Sequence, residues 1–213
     1  MMEPRARNLA LAGAGAVGLG LLLFTRKASA GQLPAPGPGP AGRYPAGLQA
    51  NLPLLRAAAA RHGVPLPVML GVAHYETGGR FDPYAEHPSD GPKIWRRYKR
   101  DNPHVAGGKR FSQHAAREEP NAWGSKGLMQ TILATALLEG LPWDAPWRTL
   151  FNPAVSADLG AKRLALLYRR HRNWQDALAA YNSGRPMASA PEATRTRYVP
   201  NVSRLSVGYE GVT

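Results

Sequence analysis

The alternation of helix-forming segments with glycine and proline breaks constrains the fold of this chain most. Between residues 48 and 206, segments with the apolar periodicity of an α-helix are separated by such breaks. No stretch shows the sustained alternation of apolar and polar residues that an amphipathic strand requires. The sequence therefore predicts a mainly α domain. The candidate helices span residues 48–62, 66–76, 126–139, 153–171, 174–182 and 191–206.

Two of these helices have clear start signals. Asn152 precedes Pro153, which places an N-cap residue before a proline in the first turn. Asn173 stands in the same capping position before the helix predicted from residue 174.

The N-terminal segment, residues 1–30, predicts a hydrophobic helix that anchors the chain in a membrane. Sixteen uncharged residues, 9–24, are flanked on both sides by basic residues. As a helix they span about 24 Å at ~1.5 Å per residue, against ~30 Å of hydrocarbon in a bilayer. The small residues Ala28-Ser29-Ala30 keep a cleaved signal peptide as the alternative.

The remainder of the chain divides into a linker, a domain and a tail. Residues 31–47 are rich in proline and glycine and are predicted to be a semi-stiff linker. Residues 48–205 form the predicted domain, and residues 206–213 a C-terminal tail. Within the domain, residues 86–121 contain many prolines and glycines and few apolar positions, so we expect a long loop insertion there.

The charge of the chain favours anionic partners. Lysine and arginine outnumber aspartate and glutamate by 27 to 14. Seven of the basic residues lie between Lys93 and Arg110, against the single acid Asp101. Trp95 and Tyr98 lie among them, so a non-catalytic module that binds nucleic acid or an acidic cell-wall polymer is one alternative. We expect the insertion to act as a lid or wall of the functional site.

Cofactor and metal chemistry are not expected. Cysteine is absent, and the histidines show no H-E-x-x-H pattern or other ligand spacing. The glycines of residues 13–18 fit G-x-G-x-x-G, but no acidic residue lies between Glu3 and Glu76 to hold a ribose.

Glu76 is the candidate catalytic residue. In the helix 66–76 it shares one face with Met69, Val72 and Ala73, at the helical spacing i, i+3, i+4, i+7. We expect partial desolvation and the negative end of the helix dipole to raise its pKa. A carboxyl group of this kind suits protonation of a glycosidic oxygen. The alternative is a last-turn glutamate whose carboxylate reaches water.

Two further segments carry polar groups suited to a sugar. Gly124-Ser125-Lys126-Gly127-Leu128-Met129-Gln130 places an amide after glycines that permit close approach of a ligand. Ala177 to Gly184 ends in Tyr181-Asn182-Ser183-Gly184 and combines small packing residues with polar ones. Each segment alone is also compatible with a plain turn or core helix.

Together these segments resemble the SLT family of lytic transglycosylases, which is goose-lysozyme-like. The resemblance covers residues 48–205 and implies a lysozyme-like α-helical catalytic domain. Five motifs in order carry it, and they are Glu76-Thr77 followed by Phe81-Asp82-Pro83, Gly124 to Gln130, Leu150-Phe151-Asn152-Pro153, Ala180 to Gly184, and Tyr198-Val199. This sequence departs from the family pattern at Ser125, Ser156 and Thr194-Arg195, and in the long insertion.

The resemblance implies cleavage of peptidoglycan between N-acetylmuramic acid and N-acetylglucosamine, with a 1,6-anhydro product. Glu76 is then the catalytic acid and base. The residues that the family pattern assigns to the substrate are Ser125, Gly127, Met129, Gln130, Tyr181, Asn182 and Tyr198. No metal or cofactor is implied, and the expected partners are glycan strands rather than nucleic acid.

A hydrolytic lysozyme on the same fold is the main alternative, because hydrolysis needs a carboxylate to activate water. The candidates for that role are Asp82, Glu86, Asp90, Glu118 and Glu119. The expected location is the inner membrane, with the catalytic domain in the periplasm or cell-wall space. A secreted protein, an envelope-spanning assembly and a phage virion are the alternative settings.

Overall fold

The computed structural model describes residues 44–87, 90–99 and 119–212. The predicted N-terminal anchor, the linker up to residue 43 and residues 100–118 of the insertion lie outside this part. The helices and strands are α1 Ala46–His62, α2 Leu66–Thr77, β1 Glu86–His87, α3 Gly91–Lys99, β2 Ser125–Lys126, β3 Thr131–Ile132, α4 Leu133–Leu138, α5 Pro153–His171, α6 Trp174–Ser183 and α7 Val199–Gly208. Short turns of 3-10 helix span Pro120–Trp123, Trp147–Phe151 and Met187–Ser189.

The mainly helical prediction is confirmed, and α1, α2, α5 and α6 lie within two residues of their predicted bounds. Both N-caps are also confirmed. The side-chain oxygen of Asn152 accepts from the amide of Ala154 at 3.0 Å, and that of Asn173 accepts from the amide of Asp176 at 2.7 Å. Each cap satisfies an amide that has no partner inside its own helix.

The helix predicted over residues 126–139 is wrong in its first half. Ser125–Lys126 and Thr131–Ile132 form the strands β2 and β3, a turn joins them, and the helix α4 begins only at Leu133. Gly127 and Gln130 adopt φ values of 78° and 46°, which lie in the left-handed region and break a right-handed helix. A three-stranded antiparallel sheet results, in the order β1-β2-β3, with Glu86 opposite Lys126 and Ser125 opposite Ile132.

The helix predicted over residues 191–206 contains a π-helical turn, Thr194–Tyr198, before α7. Pro200 lies in the first turn of α7 and has no amide hydrogen to donate to the preceding turn. The wider turn places Tyr198 at its end, in the protein interior, where 2% of the residue is exposed.

Helix α2 lies at the centre of the main core. It packs against α7 and α1, while α5 packs against α1 and α6. Met69, Leu70, Val72 and Ala73 are fully buried, so the apolar face predicted from the sequence is confirmed. A second apolar cluster joins α3, α4 and the turn Pro120–Trp123.

Two boundaries differ from the predictions. Part of the insertion is folded, because α3 packs on the Pro120–Trp123 turn through Ile94, which is fully buried. The predicted C-terminal tail begins inside α7, and Tyr209 beyond it is buried at 1% exposure. Within residues 44–87, 90–99 and 119–212, no helix has the length and apolar character needed to cross a membrane.

Candidate active site

Glu76 lies in the last turn of α2 with 4% of its surface exposed. Gly78, two residues further on, adopts φ 62° and ends the helix after Thr77. The phenolic hydroxyl of Tyr198 donates a hydrogen bond to Oε1 of Glu76 at 3.0 Å. The ring of Tyr198 is held in turn by an edge contact with Tyr75, with ring centroids 4.9 Å apart. One face of the carboxyl group is therefore fixed by an aromatic pair.

Gln130 closes the turn between β2 and β3 through its side-chain amide. Its Nε2 donates to the carbonyl of Ala85 at 2.7 Å and to the carbonyl of Gly127 at 2.9 Å. Two carbonyl partners set the orientation of the amide, since only nitrogen donates. Oε1 is buried and has no hydrogen-bond partner within the part of the chain that the structure describes. Gln130 is one of the residues that line the cavity described below.

Gly127 and Met129 lie in the same turn and contact Leu150 and Ser156. A Cβ on Gly127 would lie 2.3 Å from the carbonyl oxygen of Leu150 and 2.5 Å from Oγ of Ser156. The amide of Met129 donates to that same Oγ at 3.2 Å. Ser156, where the family pattern often has asparagine, thus connects α5 to the turn, and only glycine leaves room for this contact.

Tyr181 and Asn182 reach the site from the end of α6. The hydroxyl of Tyr181 donates to the carbonyl of Met129 at 2.7 Å, so α6 also supports the turn. The side-chain oxygen of Asn182 accepts from the hydroxyl of Thr194 at 2.8 Å. Thr194, one of the departures from the family pattern, therefore orients a residue of the site.

These elements surround one cavity of about 580 Å³, including its open mouth. Its lining residues are Glu76, Asp90, Ser125, Gln130, Thr131, Ile132, Thr135, Arg163, Tyr181 and Asn182. Glu76 and four of the residues assigned to substrate from the sequence are among them. Tyr198 contacts the cavity through Glu76, whereas Gly127 and Met129 lie behind its wall.

Four lining residues, Thr131, Ile132, Thr135 and Arg163, were not identified as site residues from the sequence. Thr131 and Thr135 follow Gln130 closely in the sequence, and that proximity to a motif residue was the available signal. Oγ1 of Thr131 is buried and, among the described residues, has no hydrogen-bond partner. Asp90 was considered only as one of several acids, and no sequence pattern distinguished Arg163 from the other arginines of its helix.

Lys126 stabilises the hairpin of β2 and β3 through a side chain that lies in the protein interior. Its side chain is fully buried, and Nζ donates to the carbonyl of Asn121 at 2.9 Å. The ammonium lies 3.6 Å from Oε2 of Glu86 on the neighbouring strand and 4.7 Å from the ring centre of Trp147. Burial lowers the pKa of Lys126, and the carboxylate of Glu86 opposes that shift.

Comparison with known proteins identifies one family. A family model described as a transglycosylase SLT domain matches residues 53–198, which is more than half of the chain. The matched range begins within α1 and ends at Tyr198, so it includes every lining residue of the cavity. No curated protein and no solved structure matches the chain.

Proposed function

We propose that this chain, which belongs to the transglycosylase SLT family, cleaves the bond from N-acetylmuramic acid to N-acetylglucosamine with formation of a 1,6-anhydro product. The family indicates a peptidoglycan-cleaving enzyme of the glycosidase type. The observation that carries the finer proposal is the position of Glu76. It is a carboxyl group with 4% exposure in the wall of the cavity, and it is held by a tyrosine hydroxyl.

In the proposed reaction Glu76 acts first as the acid. The hydroxyl of Tyr198 donates to Oε1, so in this proposal the transferable proton is carried by Oε2. Glu76 gives this proton to the leaving glycosidic oxygen. The acetamido group of the sugar stabilises the oxocarbenium-like centre from the other face. General acid catalysis of this kind contributes about 10²–10⁴-fold.

Glu76 then acts as the base. Its carboxylate takes the proton of the C6 hydroxyl while that oxygen attacks the anomeric carbon. The ring closes to the 1,6-anhydro product, and no water is consumed. The reaction therefore needs one carboxyl group and a substrate held in a fixed orientation.

The cavity offers suitable groups for that orientation. Oε1 of Gln130 and Oγ1 of Thr131 are buried and unpaired among the described residues, and both residues line the cavity. An amide oxygen accepts from sugar hydroxyls or an acetamido N–H, and a threonine hydroxyl both donates and accepts. Polar groups that are already desolvated lose little solvation energy when they bind a ligand.

The test is the Glu76→Gln variant on purified sacculi, analysed by mass spectrometry of the released muropeptides. We expect release of anhydro products by the wild-type protein and loss of activity in the variant, since glutamine keeps the shape and lacks the ionisable proton. Glu192→Gln, at an exposed position, is the matched control. Release at the wild-type rate by Glu76→Gln would eliminate Glu76 as the acid.

Hydrolysis is the second candidate function, because Asp90 lines the same cavity as Glu76. A second carboxylate placed across the substrate can activate water. Of the other acids considered, Asp82, Glu86 and Glu119 do not line the cavity, and Glu118 lies outside the described residues. Asp82 accepts from the amide of Tyr84 at 2.8 Å, and Glu86 pairs with Lys126.

Product analysis separates the two reactions. Hydrolysis yields reducing ends, and the Asp90→Asn variant then loses them. The proposed transglycosylation yields anhydro ends, and Asp90→Asn leaves their formation within a few-fold of wild type.

We also propose that the domain acts outside the cytoplasm, where peptidoglycan lies, and that the N-terminal segment holds it at the inner membrane. The apolar run 9–24 between basic residues supports this location. Alkaline phosphatase fused after Arg43, before α1 begins, should be active. A stable but inactive fusion would contradict export, and the mass of the mature N-terminus distinguishes an anchor from a cleaved signal.

A further inference from the structure

We propose that Arg163 binds a carboxylate carried by the glycan strand and thereby makes the cavity selective for acidic, substituted glycan over neutral glycan. The inference rests on the proposed function, because it takes the cavity to be the glycan site. It adds a specificity-determining residue that the sequence motifs do not contain.

Arg163 is a partly buried cation in the cavity wall. It lies on α5 and lines the cavity together with Glu76 and Gln130, and 16% of its side chain is exposed. Nη1 donates to Oε1 of Glu139 at 3.1 Å, and the side chain of Glu139 is 8% exposed. Removing a charged pair from water costs solvation energy, so this guanidinium differs from the solvated charges of the protein surface.

The guanidinium of Arg163 is held in place because its partner, Glu139, is itself held. Glu139 follows α4 directly, and the ammonium of Lys162, the residue before Arg163, donates to the carbonyl oxygen of Glu139. Two successive cations of α5 therefore hold the end of α4. This arrangement fixes the position of the arginine head before any ligand arrives, which lowers the cost of binding.

The arginine retains binding capacity. A guanidinium has five N–H donors. Among the described residues, the hydrogen bond to Glu139 is the one that this side chain makes. The other donors are available to a ligand in the cavity that the residue lines. Their planar arrangement matches the two oxygens of a carboxylate.

The chemistry of the substrate class supplies such a group. Sugar hydroxyls and acetamido groups are neutral, and Gln130 and Thr131 already suit them. Carboxylates occur in peptidoglycan on the peptide stems, and on the lactyl ether of muramic acid where the stem has been removed. We therefore assign the ligand of Arg163 as a carboxylate of the glycan substituent.

Binding is measured by co-sedimentation in a Glu76→Gln background, so that the glycan is not cut. Three insoluble or long-chain probes are compared: native sacculi, sacculi whose stem carboxylates have been amidated, and glycan strands stripped of stems by an amidase. Adding Arg163→Gln should weaken binding to native sacculi about tenfold, the size of a lost charge-assisted hydrogen bond, and leave binding to amidated sacculi unchanged. A loss on native sacculi that is absent on stripped strands identifies a stem carboxylate as the ligand. A loss on both probes shows that the site also accepts the lactyl carboxylate, which is free only where the stem has been removed.

Two controls keep the test decisive. Arg56→Gln removes one exposed charge of α1, away from the cavity lining, and should leave all three affinities unchanged. The double variant Glu139→Gln/Arg163→Gln is used if the single variant unfolds. It replaces the ion pair by two amides, so no buried carboxylate is left without its partner. This double variant should show the same selective loss.

The proposal is overturned if Arg163→Gln binds native sacculi as tightly as its parent, or if it loses affinity equally for amidated sacculi. The readout of this experiment is binding and not bond cleavage. Failure of the wild-type protein to cleave the glycan would therefore overturn the proposed function, whereas the affinities of Arg163→Gln alone decide the role of Arg163.

Discussion

The hydroxyl of Tyr198 lies 3.0 Å from Oε1 of Glu76, although 122 residues separate the two in the sequence. The contact joins the last turn of α2 to the π-helical turn before α7, and both residues are buried. A buried carboxyl group with a fixed hydrogen-bond donor keeps one orientation. The relationship therefore predicts a positioning role for Tyr198 in the proposed reaction.

Tyr198→Phe should reduce the rate of muropeptide release by about 10–100-fold, because the hydrogen bond is lost while the ring contact with Tyr75 remains. The loss should fall on kcat more than on KM, since Tyr198 touches the carboxyl group and does not line the cavity. Tyr84→Phe, at 72% exposure, is the matched control and should behave as wild type. Equal activity of the two variants would contradict the positioning role.

Gly127→Ala should destabilise the protein by about 3 kcal/mol or more. An alanine side chain disfavours the left-handed backbone conformation of this residue, and its Cβ would overlap with Leu150 and Ser156. Gly63→Ala is the control, because Gly63 has φ 68° and nothing lies within 4 Å of its added Cβ. That variant should lose only about 1–2 kcal/mol. Chemical denaturation of both variants measures the difference, and equal losses would refute the steric contribution.

The pair His74 and Tyr209 predicts an acid-sensitive step in stability. Their side chains lie 2.8 Å apart, between Nδ1 and the hydroxyl. Burial, reinforced by Arg204, lowers the pKa of His74, and burial raises the pKa of Tyr209. The tyrosine therefore donates to a neutral imidazole, an assignment that follows from the two directions.

The sign of the effect follows from the depressed pKa of His74. Below the unfolded-state value of about 6.5, the unfolded chain binds a proton that the folded chain does not. This stabilisation is complete above about pH 6.5 and falls as the pH drops toward the lower folded-state pKa. His74→Gln should flatten the decline in unfolding free energy below about pH 6.5. An unchanged pH profile in His74→Gln would exclude this histidine as the cause.

The basic residues of the insertion predict salt-dependent binding to the wall. Their attraction to wall carboxylates weakens as the screening length falls from ~10 Å at 0.1 M salt. A variant with glutamine at all seven basic positions between 93 and 110 should bind sacculi more weakly and with a flatter salt response. It retains the buried Ile94, so its thermal stability should change little. Glutamine at Arg169, Arg170 and Arg172 is the control for surface charge at another site. An unaltered salt response would point to a protein partner instead.

Local sequence determined most of the helical framework, because its signals act over a few residues. Asn152 and Asn173 accept hydrogen bonds from the amides of their own helices, so their positions alone predicted where α5 and α6 begin. The apolar spacing of Met69, Val72 and Ala73 predicted the buried face of α2, and Glu76 at its end followed from the same period. The family motifs are local as well, which explains why Gln130 and Tyr181 were identified without any structure.

The cavity was decided by the tertiary structure, because its walls come from segments far apart in the sequence. The apolar run after Gly127 has helical periodicity, but packing against Leu150 and Ser156 requires the left-handed turn that converts its start into a hairpin. Arg163 resembles the other arginines of α5 in sequence. Only the docking of α4, with Glu139 at its end, turns this one toward the cavity. Which polar groups are desolvated together depends on such contacts, and no short-range pattern contains them.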